Sequence, residues 1–302
     1  MAPCDGRTVL ESVVGRGVWL QRVLRHIDGH LDDDLDVETL SRVAVLSKYH
    51  FHRCFRAATG MGVSRYVQLL RMRRAAWRLA FRDRHSITDI ALDSGYEAPE
   101  AFSRAFRRLA GQSPSQFRRR PEWQGWHAAL RPLAETRRRT MTTQDGYDPQ
   151  VTIVDFPPTL VAVLAHRGDP ALIGDSIRRF IAWRKVAGLP PSRSATFNIL
   201  YGDPAETPPE AFRLDLCAAT GRAVEPNHAG IVAGLIPGGR CARLRHVGSD
   251  EGLGRAFAYL YGNWLPASGE AAGEAPLFLQ RVRFFPDVPE HEAVVDIFLP
   301  LA

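Results

Sequence analysis

The chain has 302 residues, 45% of them hydrophobic and 24% charged, with a formal net charge of +6, the profile of a soluble globular protein long enough for two domains. No run approaches the ~20 apolar residues of a membrane span, so no membrane partner is expected. Residues 1–140 hold 25 Lys+Arg against 15 Asp+Glu and residues 141–302 hold 14 against 18, so only the first part is expected to meet phosphate.

Residues 1–17 read as poorly structured, and their apolar run is too short for a signal peptide. A first helix follows over 18–31, carrying Trp19, Val23, Leu24 and Ile27. The acidic stretch 32–36 ends in Asp36, an N-cap for a helix over 37–45 rather than half of a catalytic carboxylate pair. Ser47 caps the next helix. There Phe51, Cys54, Phe55 and Ala58 fall on the inner face, and Tyr49, His52, Arg53 and Arg56 on the outer. His50 and His52 stand two apart and cannot converge on one metal. Residues 64–82 form a long helical pattern (Tyr66, Leu69, Leu70, Met72, Ala76, Leu79) that also bears Arg71, Arg73, Arg74 and Arg78. Ser86 or Thr88 caps a further helix, Gly95 suits a tight turn, and a last helix runs from Pro99 to Leu109 and stops at Ala110-Gly111. Its faces also separate, with Phe102, Ala105, Phe106 and Leu109 on one side and Glu100, Ser103, Arg104 and Arg107 on the other.

These two stretches repeat at a constant offset of 51: Phe51 with Phe102, Arg53 with Arg104, Phe55 with Phe106, Arg56 with Arg107, Gly60 with Gly111, and Tyr66 with Phe117. A core face backed by an Arg-bearing polar face is what a helix in the major groove needs, although an ordinary amphipathic surface helix has the same pattern. The connecting helix of about 28 Å approaches the ~34 Å between successive major-groove faces. The order Ala91, Gly95-Tyr96, Phe102, Arg104, Phe106-Arg107, Gly111, Ser113-Pro114, Phe117-Arg118 resembles the DNA-binding domain of the AraC/XylS family of bacterial transcription regulators. The resemblance covers roughly residues 20–120 and implies two helix-turn-helix units, about 37–60 and 87–111, in a domain over 18–121. It departs from the family pattern at Val45, where a turn glycine is usual, at Ser41, where alanine is usual, and at Pro99, which removes a polar base contact.

Residues 122–147, with Gly125, Pro132 and Arg137–Arg139, read as a weakly ordered linker whose Trp123 and Trp126 pack on a domain. From 148 to 302, eight β-like runs alternate with helical patterns at 171–187 and 250–264. The sequence around His166 answers that around His246 at an offset of 80, which predicts an α+β pseudo-twofold domain built from a duplicated β-α-β-β unit, with a small-molecule cleft between its halves. His166 and His246 read as structural. The segments His166-x-Gly168, Phe212-Arg213-x-Asp215-x-Cys217, Ile236-Pro237-Gly238-Gly239, His246-x-Gly248, Trp264-Leu265-Pro266 and Asp296-Ile297-Phe298-Leu299-Pro300 resemble the gyrase-inhibitor-like (GyrI-like) effector-binding domain. Many members carry a ligand-facing glutamate where this chain has Leu279 or Gln280, so a preference for cations is not expected. Glu292 and Asp296 read as a loop charge and a strand-edge charge.

The resemblances together imply a cytoplasmic transcription regulator that binds double-stranded DNA and senses a small-molecule effector, with RNA polymerase as a further candidate partner. The residues expected at DNA are Ser47, Tyr49, His50, His52, Arg53, Arg56, Glu97, Glu100, Ser103, Arg104 and Arg107, with Arg53 and Arg104 at base edges and Arg56 and Arg107 at phosphate. Those expected near a ligand are Trp183, Phe197, Tyr201, Trp264, Phe278, Gln280 and Phe298. The scattered Cys4, Cys54, Cys217 and Cys241 are expected as free thiols. No cofactor, metal site or catalytic constellation is expected. The competing reading is that the second domain is a hydrolase-like enzyme or a protein-binding module tethered to a DNA-binding domain.

Overall fold

The computed structural model describes residues 18–142, 149–202 and 207–302; the readings for 1–17, Cys4 and 143–147 lie outside these. The chain forms two compact units, Met1–Asp145 and Gly146–Ala302.

The first unit is helical: α1 (Val18–Gly29), α2 (Val37–Ala44), α3 (Lys48–Thr59), α4 (Val63–Phe81), α5 (Ile87–Asp93), α6 (Pro99–Ala110), α7 (Pro114–Arg119) and α8 (Trp123–Thr142). Side chains start most of these helices where the sequence places a capping residue. Asp36 accepts from Thr39 N at 2.7 Å, Ser47 accepts from His50 N, and Ser86 and Asp89 form a reciprocal capping box. Gly60 and Gly111, at φ 76° and 72°, end α3 and α6 in the left-handed region.

The repeat is a repeat of packing. Phe51 lies 5.7 Å from Phe55, and Phe55 meets Tyr66 edge-on at 5.6 Å. In the second copy Phe102 lies 5.6 Å from Phe106, and Phe106 meets Phe117 edge-on at 5.3 Å. Two expectations shift in the last helical turns. Ala58 is exposed because the buried stripe of α3 runs Phe51, Phe55, Thr59, stepping by four. In α6 the same step buries Ala110 and leaves Leu109 half-buried.

The stretch expected as a weakly ordered linker is instead mostly helix α8, which continues through Pro132. Trp123, Trp126, Leu130 and Leu133 recur at helical spacing and are buried, so the apolar stripe outweighs the local breakers. Trp126 stacks on Phe106 at 5.6 Å, and Arg137, fully buried, pairs with Asp28 of α1 at 2.8 Å and contacts the Tyr66 hydroxyl of α4. Helix α8 is therefore part of the helical core.

The second unit is one antiparallel sheet with helices: β1 (Val151–Phe156), β2 (Thr159–Arg167), α9 (Ile173–Val186), β3 (Thr196–Leu200), β4 (Arg213–Ala219), β5 (Val232–Ile236), β6 (Gly239–Val247), α10 (Leu253–Tyr259), α11 (Leu265–Ser268), β7 (Phe278–Arg283) and β8 (Val294–Pro300). A π-helical turn, Leu260–Trp264, joins α10 to α11. The strand order is β1-β6-β8-β7-β3-β4-β2-β5.

Period-two alternation gives the sheet two different faces. On one, Ala162, Leu164, Leu216 and Ala218 pack with Phe180 of α9, while Leu244, Leu279, Val295 and Ile297 pack with Leu253, Ala256 and Leu260. The other face carries Phe156, Val161, Val163, Phe197, Cys217, Ile236, Cys241, Phe278 and Phe298, and none of these core residues comes from a helix. The β1–β2 and β5–β6 turns meet closely: a Cβ on Gly238 would lie 2.6 Å from Pro158 Cδ and 3.0 Å from the Phe156 carbonyl oxygen.

Candidate functional site

In the helical unit, α3 and α6 present the candidate DNA face. Tyr49, His50, His52, Arg53 and Arg56 are exposed on or beside the outer side of α3, as are Glu100, Arg104 and Arg107 on α6, with Glu97 exposed just before it and Ser103 half-buried. Arg53, Arg56, Arg104 and Arg107 make no hydrogen bond or ion pair among the described residues, so their guanidinium donors are available to a partner. Arg104 and Arg107 also line an open depression with Gln68 of α4 and Tyr96, whose hydroxyl accepts from Gln68 at 3.0 Å. Ser47 spends its side-chain oxygen on the α3 cap.

The turns into α3 and α6 are closed alike but differ in length. Leu46 N donates to Ser41 O at 3.0 Å and Tyr96 N to Ala91 O at 3.1 Å, each spanning five residues. Ser41 and Phe51 are ten positions apart whereas Ala91 and Phe102 are eleven, so the second turn is one residue longer. The left-handed position of the first turn is Val45, at φ 58°; in the second it is Gly95, at φ 80°.

Three arginines of α4, in the part of the chain expected to meet phosphate, turn inward instead. Arg71 donates to the Leu31 and Asp33 carbonyls at 2.9 and 2.7 Å. Arg74, 5% exposed, pairs with the Asp32 carboxylate and donates to Asp93 O at 2.7 Å. Arg78 pairs with the Asp93 carboxylate at 2.5 Å. Positions i, i+3 and i+7 of α4 thus tie the loop before α2 to the end of α5. The Arg74 hydrogen bond holds the Asp32 carboxyl below the usual carboxylate range. A Cβ at Gly95 would lie 2.5 Å from Arg71 Nη1, so the Arg71 guanidinium would have to shift. The acidic run at 32–36 was the available sequence signal for this ladder.

In the sheet unit, the residues expected near a ligand do not gather at one place. Trp183 of α9 and Trp264 pack on the helix-covered side. Phe197, Phe278, Gln280 and Phe298 lie on the other face, with Phe278 and Phe298 stacked at 5.0 Å. Gln280 rather than Leu279 faces that side, since Leu279 is in the helix-side core. Gln280 stands in register between Phe197 and Asp296. Tyr201, just past β3, donates to Asp215 at 2.9 Å, and burial followed by that hydrogen bond raises its pKa to about 12.

Asp215 and Asp296, missed as a pair in the sequence, are both buried on this face. Arg213 grips Asp215 through Nε and Nη2 at 3.0 and 2.7 Å, and Arg245 grips Asp296 through the same atoms at 2.7 Å each. Asp296 is thus not a strand-edge charge: β8 lies between β6 and β7, and its carboxylate is neutralised in place. Glu292 lies at the surface, paired with Arg283 at 2.5 Å. His166 and His246 are both buried and approach the carbonyl oxygens of Asp169 and Ser249, three residues on, at 3.2 and 2.9 Å. Burial raises the Cys217 and Cys241 thiols above their ordinary pKa, so they are poor nucleophiles.

Comparison with known families assigns both units. A family model described as the GyrI-like small molecule binding domain matches residues 149–302. This chain belongs to the GyrI-like family. Ahead of its family domain, this GyrI-like protein carries an AraC-type helix-turn-helix domain, matched over residues 40–120. The sheet unit is similar to the probable transcriptional regulator YgiV of Escherichia coli K12, 40% identical over 153 residues, 50% of this chain and 96% of that protein. The helical unit is similar to the regulatory protein SoxS of Salmonella typhimurium, 35% identical over 101 residues, 33% of this chain and 94% of that protein. It also resembles the DNA-binding domain of AdpA, solved in complex with a target DNA, at 32% identity and a TM-score of 0.31 over 34% of this chain and 96% of that one. No helix among the described residues is long and apolar enough to cross a membrane.

Proposed function

We propose that the chain is a sequence-specific DNA-binding transcription regulator whose C-terminal domain senses a small molecule. The observation that carries this is the repeated pair Arg53 and Arg104, with Arg56 and Arg107. All four are exposed and unpaired on helices whose opposite faces are locked into the core by matching aromatic contacts. Arg53 and Arg104 are assigned to base edges, where a guanidinium reads guanine through two hydrogen bonds, and Arg56 and Arg107 to phosphate. Tyr49, His50, His52, Glu97, Glu100 and Ser103 tune the sequence preference, and Ser47 orients α3 through its cap. The proposed DNA-binding domain includes α8, and the effector domain covers 148–302. The protein is assigned to the cytoplasm, with RNA polymerase as its protein partner at the promoter.

The effector domain is proposed to be a duplicated β-α-β-β fold. Its strand order supports this: exchanging each strand for the one four places away turns β1-β6-β8-β7-β3-β4-β2-β5 into its own reverse. His166 with His246 and Asp215 with Asp296 follow the same exchange. The small molecule is assigned to the face without helices, where the halves meet at β3 and β7. Catalysis is no part of this reading.

Selection of full-length protein against a random duplex library at two salt concentrations tests the proposal. Two enriched motifs about one helical turn apart are expected. Salt-sensitive binding with no motif would reduce the helical domain to a nonspecific basic surface, and turnover of a ligand would refute sensing without catalysis.

A further inference from the structure

We infer that the effector face takes an aromatic anion, with the anionic group held by Arg243 and Thr152 and the ring lying toward Phe298 and Phe278. This rests on the small-molecule reading above and names the ligand class for that site.

The four residues form one row across the sheet. Thr152 of β1 is directly opposite Arg243 of β6, Arg243 is opposite Phe298 of β8, and Phe298 is opposite Phe278 of β7. All four point to the face without helices, because Arg243 alternates with Ala242 and Leu244 of the helix-side cores. Arg243 is half-buried and makes no hydrogen bond or ion pair among the described residues. The Thr152 hydroxyl is buried without a partner. A partly desolvated guanidinium beside an unsatisfied hydroxyl calls for an acceptor that carries charge, and its planar fork matches a carboxylate or a sulfonate.

The same face is closed to cations. Asp215 and Asp296 are each gripped at two points, by Arg213 and Arg245, and Tyr201 adds a third bond to Asp215. A cation would have to displace a guanidinium from a buried carboxylate to gain a counter-charge, and the neighbouring Gln280 offers no charge. Among the described residues, the unpaired charges of the strands on this face, Arg243 and Arg167 at the rim, are positive.

The offset of 80 also fixes polarity. The positions equivalent to Thr152 and Arg243 are Val232 and Val163. The anionic group therefore has a seat in one half only, and the apolar end of the ligand lies toward the other.

The test uses full-length protein and the fluorescent aromatic anion 8-anilinonaphthalene-1-sulfonate, with 1-naphthoate and tetraphenylphosphonium as competitors. Saturable binding is expected, displaced by naphthoate and not by tetraphenylphosphonium. Arg243→Gln should weaken it at least 10-fold and Thr152→Val about threefold, while Arg243→Lys keeps part of it and Arg167→Gln stays within about twofold. Unchanged melting profiles identify variants that fold; if Arg243→Gln does not fold, Arg243→Lys and Thr152→Val carry the test. Equal affinity in folded Arg243 and Thr152 variants would overturn the assignment. Displacement by tetraphenylphosphonium would overturn the anion class and leave sensing intact. Absence of saturable binding by either charge type would overturn the assignment and the sensing reading with it.

Discussion

Replacing Val45 by glycine should stabilise the helical domain. Val45 ends α2 at φ 58° and ψ 41°, the left-handed region, and is the one described residue other than glycine with positive φ. A β-carbon there costs about 1–2 kcal/mol. Glycine removes that strain but gives back roughly 0.5–1 kcal/mol through the freedom of its unfolded chain. Little packing is lost, since Val45 is 71% exposed. The net gain is about 0.5–1 kcal/mol, which corresponds to roughly 2–6 °C in the midpoint of a domain this size. Tryptophan fluorescence reports the transition, because four of the six tryptophans, Trp19, Trp77, Trp123 and Trp126, lie in the helical unit. The counterpart, Gly95→Ala, should lower the midpoint by more, since it combines the same strain with a Cβ 2.5 Å from Arg71 Nη1. A Val45→Gly midpoint that is unchanged or lower would refute the claim that the first turn is strained.

Arg104→Ala and Arg53→Ala should each cost about 1–3 kcal/mol at a selected site and relax the preferred base there; an unchanged affinity and sequence logo would remove them from the base-reading set. Arg107→Ala should weaken all duplexes alike and lower the salt slope by about 1, which a titration of affinity against salt measures. Arg137→Ala should destabilise the helical domain by up to about 3 kcal/mol, because it leaves the half-buried Asp28 carboxylate without its partner; an unchanged melting midpoint would mean that α8 is not anchored there. Burial lowers the pKa of His246 below its ordinary value of 6.5, so the unfolded chain binds the proton more readily. Stability of the sheet domain should therefore fall as pH drops through 6.5 toward the folded value, and His246→Gln should flatten that part of a denaturation-against-pH profile.

The helical domain was legible because its signals are local. Phe51 and Phe102, Ser47 and Ser86, and Gly60 and Gly111 each act within one or two turns of the residue they fix. Helix α8 was missed because Pro132 and Gly125 dominate a short window, while the stripe from Trp123 to Leu133 shows its meaning only against Phe106 and Phe117. The inward turn of the α4 arginines is hidden from the sequence, because composition cannot show that Arg71 reaches carbonyls 38 and 40 positions away, or that Arg74 reaches a carboxylate 42 positions away and a carbonyl on α5. In the sheet domain, period-two alternation was visible, but register was not. Register decides which of Leu279 and Gln280 faces Phe298 and brings Arg245 beside Asp296, while Trp183 and Trp264 follow their helices to the other side of the sheet.

The arginine ladder on α4 has a consequence for how such proteins can be recombined. Asp32, Asp33, Arg71, Arg74, Arg78, Asp93 and Gly95 form a set that crosses both halves of the DNA-binding domain. The proposed contact residues Tyr49, Arg53, Glu100 and Arg104 can be changed without touching this set. Exchange of one whole helix-turn-helix between relatives cuts through it. Chimaeras joined within α4 will inherit mismatched ladders unless all seven positions travel together, so new specificities are more readily reached by changing surface letters than by shuffling modules.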